Sequence, residues 1–393
     1  ATGMLPEAEG SFGYLLNSSY ESLGNLWRGE FNDGTSSMYN GLFQQNSWRN
    51  ALGGNYNSAA ADSDLAISTY PHVLQSFSAG NYAYMGSTDS MSDMASAKNI
   101  ISVGGLWHQD TATLGDDYYT NGNGASRGPT VDNRVKPDLV GPYSNIYTID
   151  MIGSNGYSNT NYTSGFGGTS GAGPVVVATS GVLYQMYMEN FFDNNPNGTI
   201  PLSSTIKALM FADAYQYPMN GDNIMYRNVQ GWGTPDIERS YNLGSEGHFF
   251  VDGDVDLEAG DSWSEQVYVD GSTRLKVSMV WIDPAASTYP EVCNDNDECF
   301  SRSLVNNLDL KLTSPSGMVY YGNNGLHDSI WSVSDMATND WSFSDNGFEN
   351  HTEAYLDDLN NVENVFILVP LIMAFPSRPV LPPAKIKICT LVS

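Results

Sequence analysis

Apolar and polar positions follow two different rhythms along this chain. Residues 61–70, 175–184 and 204–214 carry apolar runs of helical length. Shorter apolar runs at 73–78 and 99–105 read as strands, each ending in small residues. Strand, loop and strand with helical segments between them predict an α/β unit with a parallel sheet. Around residue 245 the pattern changes. Residues 274–281 and 308–312 alternate with a period of two, and the turn cluster Ser314-Pro315-Ser316-Gly317 follows. That alternation predicts an antiparallel, jelly-roll-like β-sandwich. The expected division is an α/β domain over 1–245, a sandwich over 246–370 and a tail over 371–393. The tail contains Arg378, Lys385 and Lys387 but no acidic residue. It departs so far from the rest that a divergent or aberrant end is expected.

Composition narrows the class. A chain of 393 residues with 41% hydrophobic content is long and apolar enough for two folded domains. Lys+Arg total 16 against 44 Asp+Glu, for a net charge of -28. That balance excludes nucleic acid and anionic membranes as expected partners, because both attract basic proteins. It suits a secreted protein, and acidic loops suit calcium. No apolar run reaches the roughly 18 residues that a membrane span needs. Of the 3 cysteines, Cys293 and Cys299 are close enough in sequence for a local disulfide, and Cys389 is left over.

The candidate chemistry lies in G-G-T-S-G-A-G-P at 167–174, directly before the apolar run at 175–184. Pro174 is expected in the first helical turn, where its missing N–H costs nothing. Ser170 then sits at a helix N-terminus, where free N–H groups and the helix dipole favour negative charge. Such a position suits a nucleophile whose reaction builds an oxyanion. A Gly-rich loop before a core helix is the plainer reading of the same residues. The dinucleotide fingerprint fails at its third glycine, and the G-x-S-x-G elbow fails because Ala172 takes the last position.

The pattern G-T-S-x-A-x-P resembles the nucleophile motif of the subtilisin-like serine proteases. Further segments extend the resemblance in the family's order. Asn46-Ser47-Trp48 resembles the substrate-binding edge strand, and Ser78-Ala79-Gly80-Asn81 resembles the segment whose asparagine donates to the oxyanion. Residues 97–104, Ser126-Arg127-Gly128-Pro129 and Lys136-Pro137-Asp138-Leu139 resemble later markers. Gly3-Met4-Leu5-Pro6-Glu7-Ala8 resembles the segment that follows the catalytic histidine, with Leu5 for the usual alanine. Segments 280–283, 304–310 and 360–365 resemble markers of the C-terminal sandwich of some secreted bacterial members. The resemblance implies a parallel sheet with helices on both faces, plus the antiparallel sandwich.

It also implies a serine endopeptidase that works through an acyl-enzyme, with Ser170 as nucleophile and Asn81 as oxyanion donor. The partner is then a protein or peptide substrate. A base must take the serine proton. In this family Asp and His precede Ser, yet none of the 5 histidines precedes His72. His72, His108, His248, His327 and His351 all lack the family's histidine context. The chain is therefore expected to begin downstream of the histidine, with an Asp- and His-bearing N-terminal segment of the same protein missing and negligible turnover alone. The alternatives are a catalytically dead homologue that binds peptides or acts as a scaffold, and an adhesion protein resting on the sandwich.

The resemblance places the specificity pocket between Ser47-Trp48-Arg49 and Ser78-Ala79-Gly80. Small residues on one wall predict a roomy, apolar-accepting pocket, and Trp48 is equally suited to core packing. Arg49, Gly171 and Gly173 depart from the family pattern. Arg49 is expected to crowd the cleft or attract acidic residues, and the two glycines to loosen the helix start. Asp283, Asn306 and Asp309 are candidate calcium ligands, because calcium takes hard oxygen donors.

Overall fold

A computed structural model describes residues 5, 42–49, 51–83, 90–106, 124–192, 198–217, 227–246, 255–267, 274–288, 292–293, 299–300, 302–314, 317–327, 329–334, 357–368 and 384–389. The first unit is built on four parallel strands: β1 (Phe43–Asn46), β2 (Leu74–Ser78), β3 (Ile101–Leu106) and β4 (Leu139–Pro142). They lie in the order β1-β2-β3-β4. Every residue of β2 and β3 is buried. A parallel sheet covered on both faces needs such continuous burial.

Helices supply the two covers. Helix α1 (Ser58–Thr69) starts where Asn57 accepts from the amides of Ala59 and Ala60. Its Ala60 and Ile67 join Phe77, Met94 and Ile100 in one apolar cluster. Helices α2 (Thr169–Met188) and α3 (Ser203–Asp213) cover the other face. There Val176, Leu183, Ile206 and Met210 pack with Leu74, Ile101, Val103 and Leu139. This is the expected α/β architecture with helices on both faces. Two short helices follow, α4 (Arg227–Gln230) and α5 (Ile237–Ser245). Between β4 and α2, strands β5 (Ile146–Ile149) and β6 (Tyr162–Phe166) form an antiparallel hairpin.

The antiparallel part contains β7 (Ser262–Val267), β8 (Arg274–Val280), β9 (Val292–Cys293), β10 (Cys299–Phe300), β11 (Asp309–Thr313), β12 (Val319–Tyr321), β13 (Val362–Leu368) and β14 (Ala384–Cys389). One sheet runs β12-β11-β14-β7, and β8 pairs with β13. Leu310 and Leu312 of β11 pack against Val365, Ile367, Leu275 and Val277 of the β8–β13 pair. The two layers therefore face each other across a small core. The register also places Cys293 opposite Cys299.

The tail differs from expectation. Ala384–Cys389 pairs antiparallel with both β11 and β7, and Ile386 and Ile388 stand opposite Leu312 and Leu310. Its two-residue alternation matches that of its neighbour, which is why a basic segment still closes the sheet.

The two units share buried interior. Leu326, Val362 and Phe366 belong to the same apolar cluster as Phe211 and Trp232. Lys98 donates to Asp283 at 2.5 Å, to the Pro284 carbonyl at 2.6 Å and to the Ser303 carbonyl. Asn99 exchanges two hydrogen bonds with the Asp283 backbone, and the Ser303 hydroxyl donates to Asp132 at 2.6 Å. Among the described residues no helix is long and apolar enough to cross a membrane.

Candidate active site

The site forms where α2 begins above the C-terminal ends of the parallel strands. Gly168, with φ of 78°, is the N-cap, and Thr169 opens the helix. The helix therefore starts earlier than expected, and Pro174 lies inside it. A proline there has no N–H for the carbonyl four residues back. That carbonyl belongs to Ser170, and it accepts instead from the Ser47 hydroxyl at 3.3 Å. Pro174 thus frees an acceptor on the nucleophile candidate, and the edge of β1 fills it.

Ser170 and Asn81 are brought together. Asn81 Oδ1 accepts from the Thr169 backbone N–H at 2.9 Å and from the Thr169 hydroxyl at 3.0 Å. A backbone N–H can only donate, so it settles which end of the amide is oxygen. The Asn81 NH₂ group is left facing the Gly168 side of the helix start. A Cβ on Gly168 would lie 3.1 Å from Asn81 Nδ2. The backbone N–H of Ser170 belongs to the first turn, whose donors lack helical acceptors. Two donors, the Asn81 amide and the Ser170 N–H, therefore flank the serine.

Thr169 is the residue that sequence reasoning passed over. Fully buried, it accepts from Gly80 N–H at 3.3 Å and holds Asn81. Its carbonyl accepts from Ser78 Oγ at 2.9 Å. The signal was its place immediately before the serine. Gly80 has φ of 119°, and a Cβ there would meet Ser126 Oγ at 2.7 Å. The turn that presents Asn81 needs a glycine for both reasons.

The walls carry the pocket residues in part. Ser47 Oγ and Ser78 Oγ lie 3.5 Å apart. Ala79 is fully buried. The Trp48 indole turns away, donating to Asn46 Oδ1 at 3.1 Å and meeting Phe77 edge-on at 5.9 Å. It is partly buried and packs against the Phe77 cluster. Arg49 reaches across to Tyr82, with Nε 3.2 Å and Nη2 3.0 Å from the phenol oxygen. Gly171 and Gly173 do not interrupt α2, which is continuous from Thr169. A Cβ at 173 would lie 2.6 Å from Gln45 Nε2, and one at 171 would lie 2.5 Å from Ile146 Cδ1. Both glycines let the helix approach its neighbours.

Neither described histidine reaches Ser170. The His72 carbonyl accepts from the Tyr184 hydroxyl at 2.7 Å. Tyr184 follows Ser170 along α2 by a helical rise of about 21 Å. His327 follows Leu326, whose carbonyl takes Arg227 Nε at 2.7 Å. Arg227 also donates to the Gly231 carbonyl, and the next residue, Trp232, bonds Asp138 at the start of β4. Gly168 bonds Tyr143, beyond that strand's other end. His108, His248 and His351 lie outside the described residues. Of the segment 3–8 only Leu5 is described, and it contacts α2 at Gly181.

Of the calcium candidates, Asp283 is already engaged by protein donors. Asp283 Oδ2 takes the Lys98 ammonium and the Val305 N–H, and Oδ1 takes the Asn306 N–H at 2.8 Å. Three of the roughly four acceptor sites of that carboxylate are taken by one ammonium and two amides. Asn306 joins through its backbone, and Asp309 is buried at the start of β11. Among the described residues no group of three or more His, Cys, Asp or Glu is placed to hold a metal.

A computed comparison of folds finds similar solved structures of low identity. The maturation protease PagA of prenylagaramide matches with a TM-score of 0.40 and 16% identity, covering 57% of this chain and 67% of that one. The PatG macrocyclase in complex with peptide matches at 0.38 and 14%, covering 53% of each. Among curated proteins, the serine protease/ABC transporter B family protein tagD of Dictyostelium discoideum is 25% identical over 299 residues. The related tagA of the same organism is 26% identical over 264 residues. Each match covers 61% of this chain but only 15% and 13% of the relative, so the chain spans a small part of their length. The sequence model of Peptidase_S8 matches residues 20–233, the region holding every element of the site just described. On that match over more than half its length, the chain belongs to the subtilase family of serine proteases.

Proposed function

We propose that this chain carries the nucleophile and the oxyanion donors of a secreted serine endopeptidase. One observation carries the reading: Thr169 anchors the Asn81 amide beside the first turn that contains Ser170. In the proposed reaction Ser170 Oγ attacks the peptide carbonyl carbon while a base takes its proton. The oxyanion that forms accepts from Asn81 Nδ2 and from the Ser170 N–H. Collapse breaks the C–N bond, and the departing amine receives the proton. Water then attacks the ester, and its proton passes through the same base to restore Ser170.

The base in this reading is a histidine that this chain does not itself carry, together with its aspartate. The remoteness of His72 and His327 supports that assignment. The test compares the chain alone with the chain co-expressed with a subtilase segment that carries the family's Asp and His, using casein. Serine-inhibitor-sensitive turnover is expected only with the segment. Clear turnover by the chain alone would refute the assignment of the base.

The same observation favours a second reading, a catalytically dead homologue that binds peptides. It predicts peptide binding by the chain and no turnover with any such segment.

A further inference from the structure

Arg49 and Tyr82 stand on the two segments that flank Ser170. Arg49 follows Ser47, whose hydroxyl bonds the Ser170 carbonyl, and Tyr82 follows Asn81 directly. The guanidinium carbon lies 4.8 Å from the Tyr82 ring centroid, and both Nε and Nη2 reach the phenol oxygen. The bridge therefore links the 47–49 and 80–82 segments.

Like the buried Arg227, which bonds carbonyls and Gln216, Arg49 pairs with no carboxylate among the described residues. Acids outnumber bases 44 to 16. Arg134, Arg239 and Arg302 each face an aspartate. Among the described residues Arg49 has no carboxylate within ion-pair distance, although it is exposed. Its tyrosine partner accepts hydrogen bonds without supplying charge. The tyrosine nevertheless fixes the side chain, so less freedom remains to be lost on binding. With Nε turned to the phenol, the end-on pair of Nη groups is the fork that fits a carboxylate. The neighbouring Ser47, Ser78 and Gly80 are small, and Trp48 packs edge-on against Phe77.

We propose that Arg49, held by Tyr82, makes this cleft a reader of acidic side chains. The peptide it takes carries Asp or Glu on the acyl side of the bond presented to Ser170. The inference rests on the cleft being a peptide groove, and it adds the chemistry of the residue that groove prefers.

The test uses the whole chain and needs no turnover. Three N-terminally labelled, product-like peptide amides are titrated by fluorescence anisotropy, identical except for a last residue of Glu, Gln or Lys. The Glu peptide is expected to bind about fivefold tighter than the Gln peptide, the factor of a partly exposed charged pair, with Lys weakest. The gap closes as salt rises from about 0.05 to about 0.5 M. R49E inverts the order of Glu and Lys, and R49K retains it. Equal binding of Glu and Gln, or an order that R49E leaves unchanged, overturns the inference while the groove stands. Binding of none of the three removes the groove itself and the inference with it.

Discussion

The hydroxyl of Ser47 donates to the carbonyl of Ser170 because Pro174 has no N–H to give it. The end of β1 is thereby tied to the residue that carries the proposed nucleophile. Ser47→Ala leaves that carbonyl without its donor, at a cost of about 1 kcal/mol. The expected outcome is a small loss of stability in urea together with weaker peptide binding. Unchanged binding would show that the tie does not shape the cleft.

Asn81 has two separable roles. Its oxygen accepts from Thr169, and in the proposed reaction its NH₂ group donates to the oxyanion. Asn81→Ala removes both. In the protein complemented with its base, turnover is expected to fall by about 10²–10³, the loss typical of one oxyanion donor. Ser170→Ala in the same assay falls by about 10⁶. A drop in kcat with KM unchanged is the signature to look for, because the donor acts on charge that develops only during reaction.

Gly80 sets the turn that presents Asn81. Gly80→Ala forces a Cβ onto a backbone with φ of 119° and into Ser126 Oγ. A cost of about 1–3 kcal/mol is expected. Peptide binding should weaken beyond what the shift in melting temperature explains, because the anchor of Asn81 moves with the turn.

Lys98 and Asp283 join the two units through a fully buried ion pair. Asp283→Asn strands the ammonium in the interior, and a loss of about 3–5 kcal/mol is expected. Because the apolar cluster is continuous across the units, one cooperative unfolding transition is expected in the parent chain. Replacing both partners by apolar residues should recover most of the loss. Two separate transitions in the parent would contradict a shared core.

Glu363 is buried, and desolvation holds its carboxyl well above the usual carboxylate range, with Asp357 and Asp309 adding repulsion. The folded chain therefore binds a proton that the unfolded chain has already released. Stability should fall as pH rises above about 4.5 and through the raised value. Glu363→Gln keeps an acceptor for the Leu310 N–H and removes the charge. Its melting temperature at pH above neutrality should exceed the parent's by about 2–4 °C per kcal/mol gained. The pH slope should flatten at the same time. A parallel slope in the variant would exclude Glu363 as its source.

Apolar periodicity and small-residue motifs alone determined the parallel sheet, the helix after Ser170 and the change to alternating strands near residue 245. Those features are local: period, turn residues and short spacings are written in neighbouring positions. The pairing of Asn81 with Ser170 was legible through a motif, but the agent that joins them, Thr169, was not, because its partners lie 88 residues away. Pro174 reads as a first-turn proline in sequence, but the helix starts at Thr169, where Thr169 is tied to Asn81, and this places Pro174 inside. Asp283 looked like a cation ligand, since sequence cannot reveal that Lys98 is folded against it. The basic tail looked foreign by charge, yet backbone pairing depends on alternation and register, and these placed 384–389 in the sheet. Contacts between distant segments depend on where the whole chain closes, which no local pattern contains.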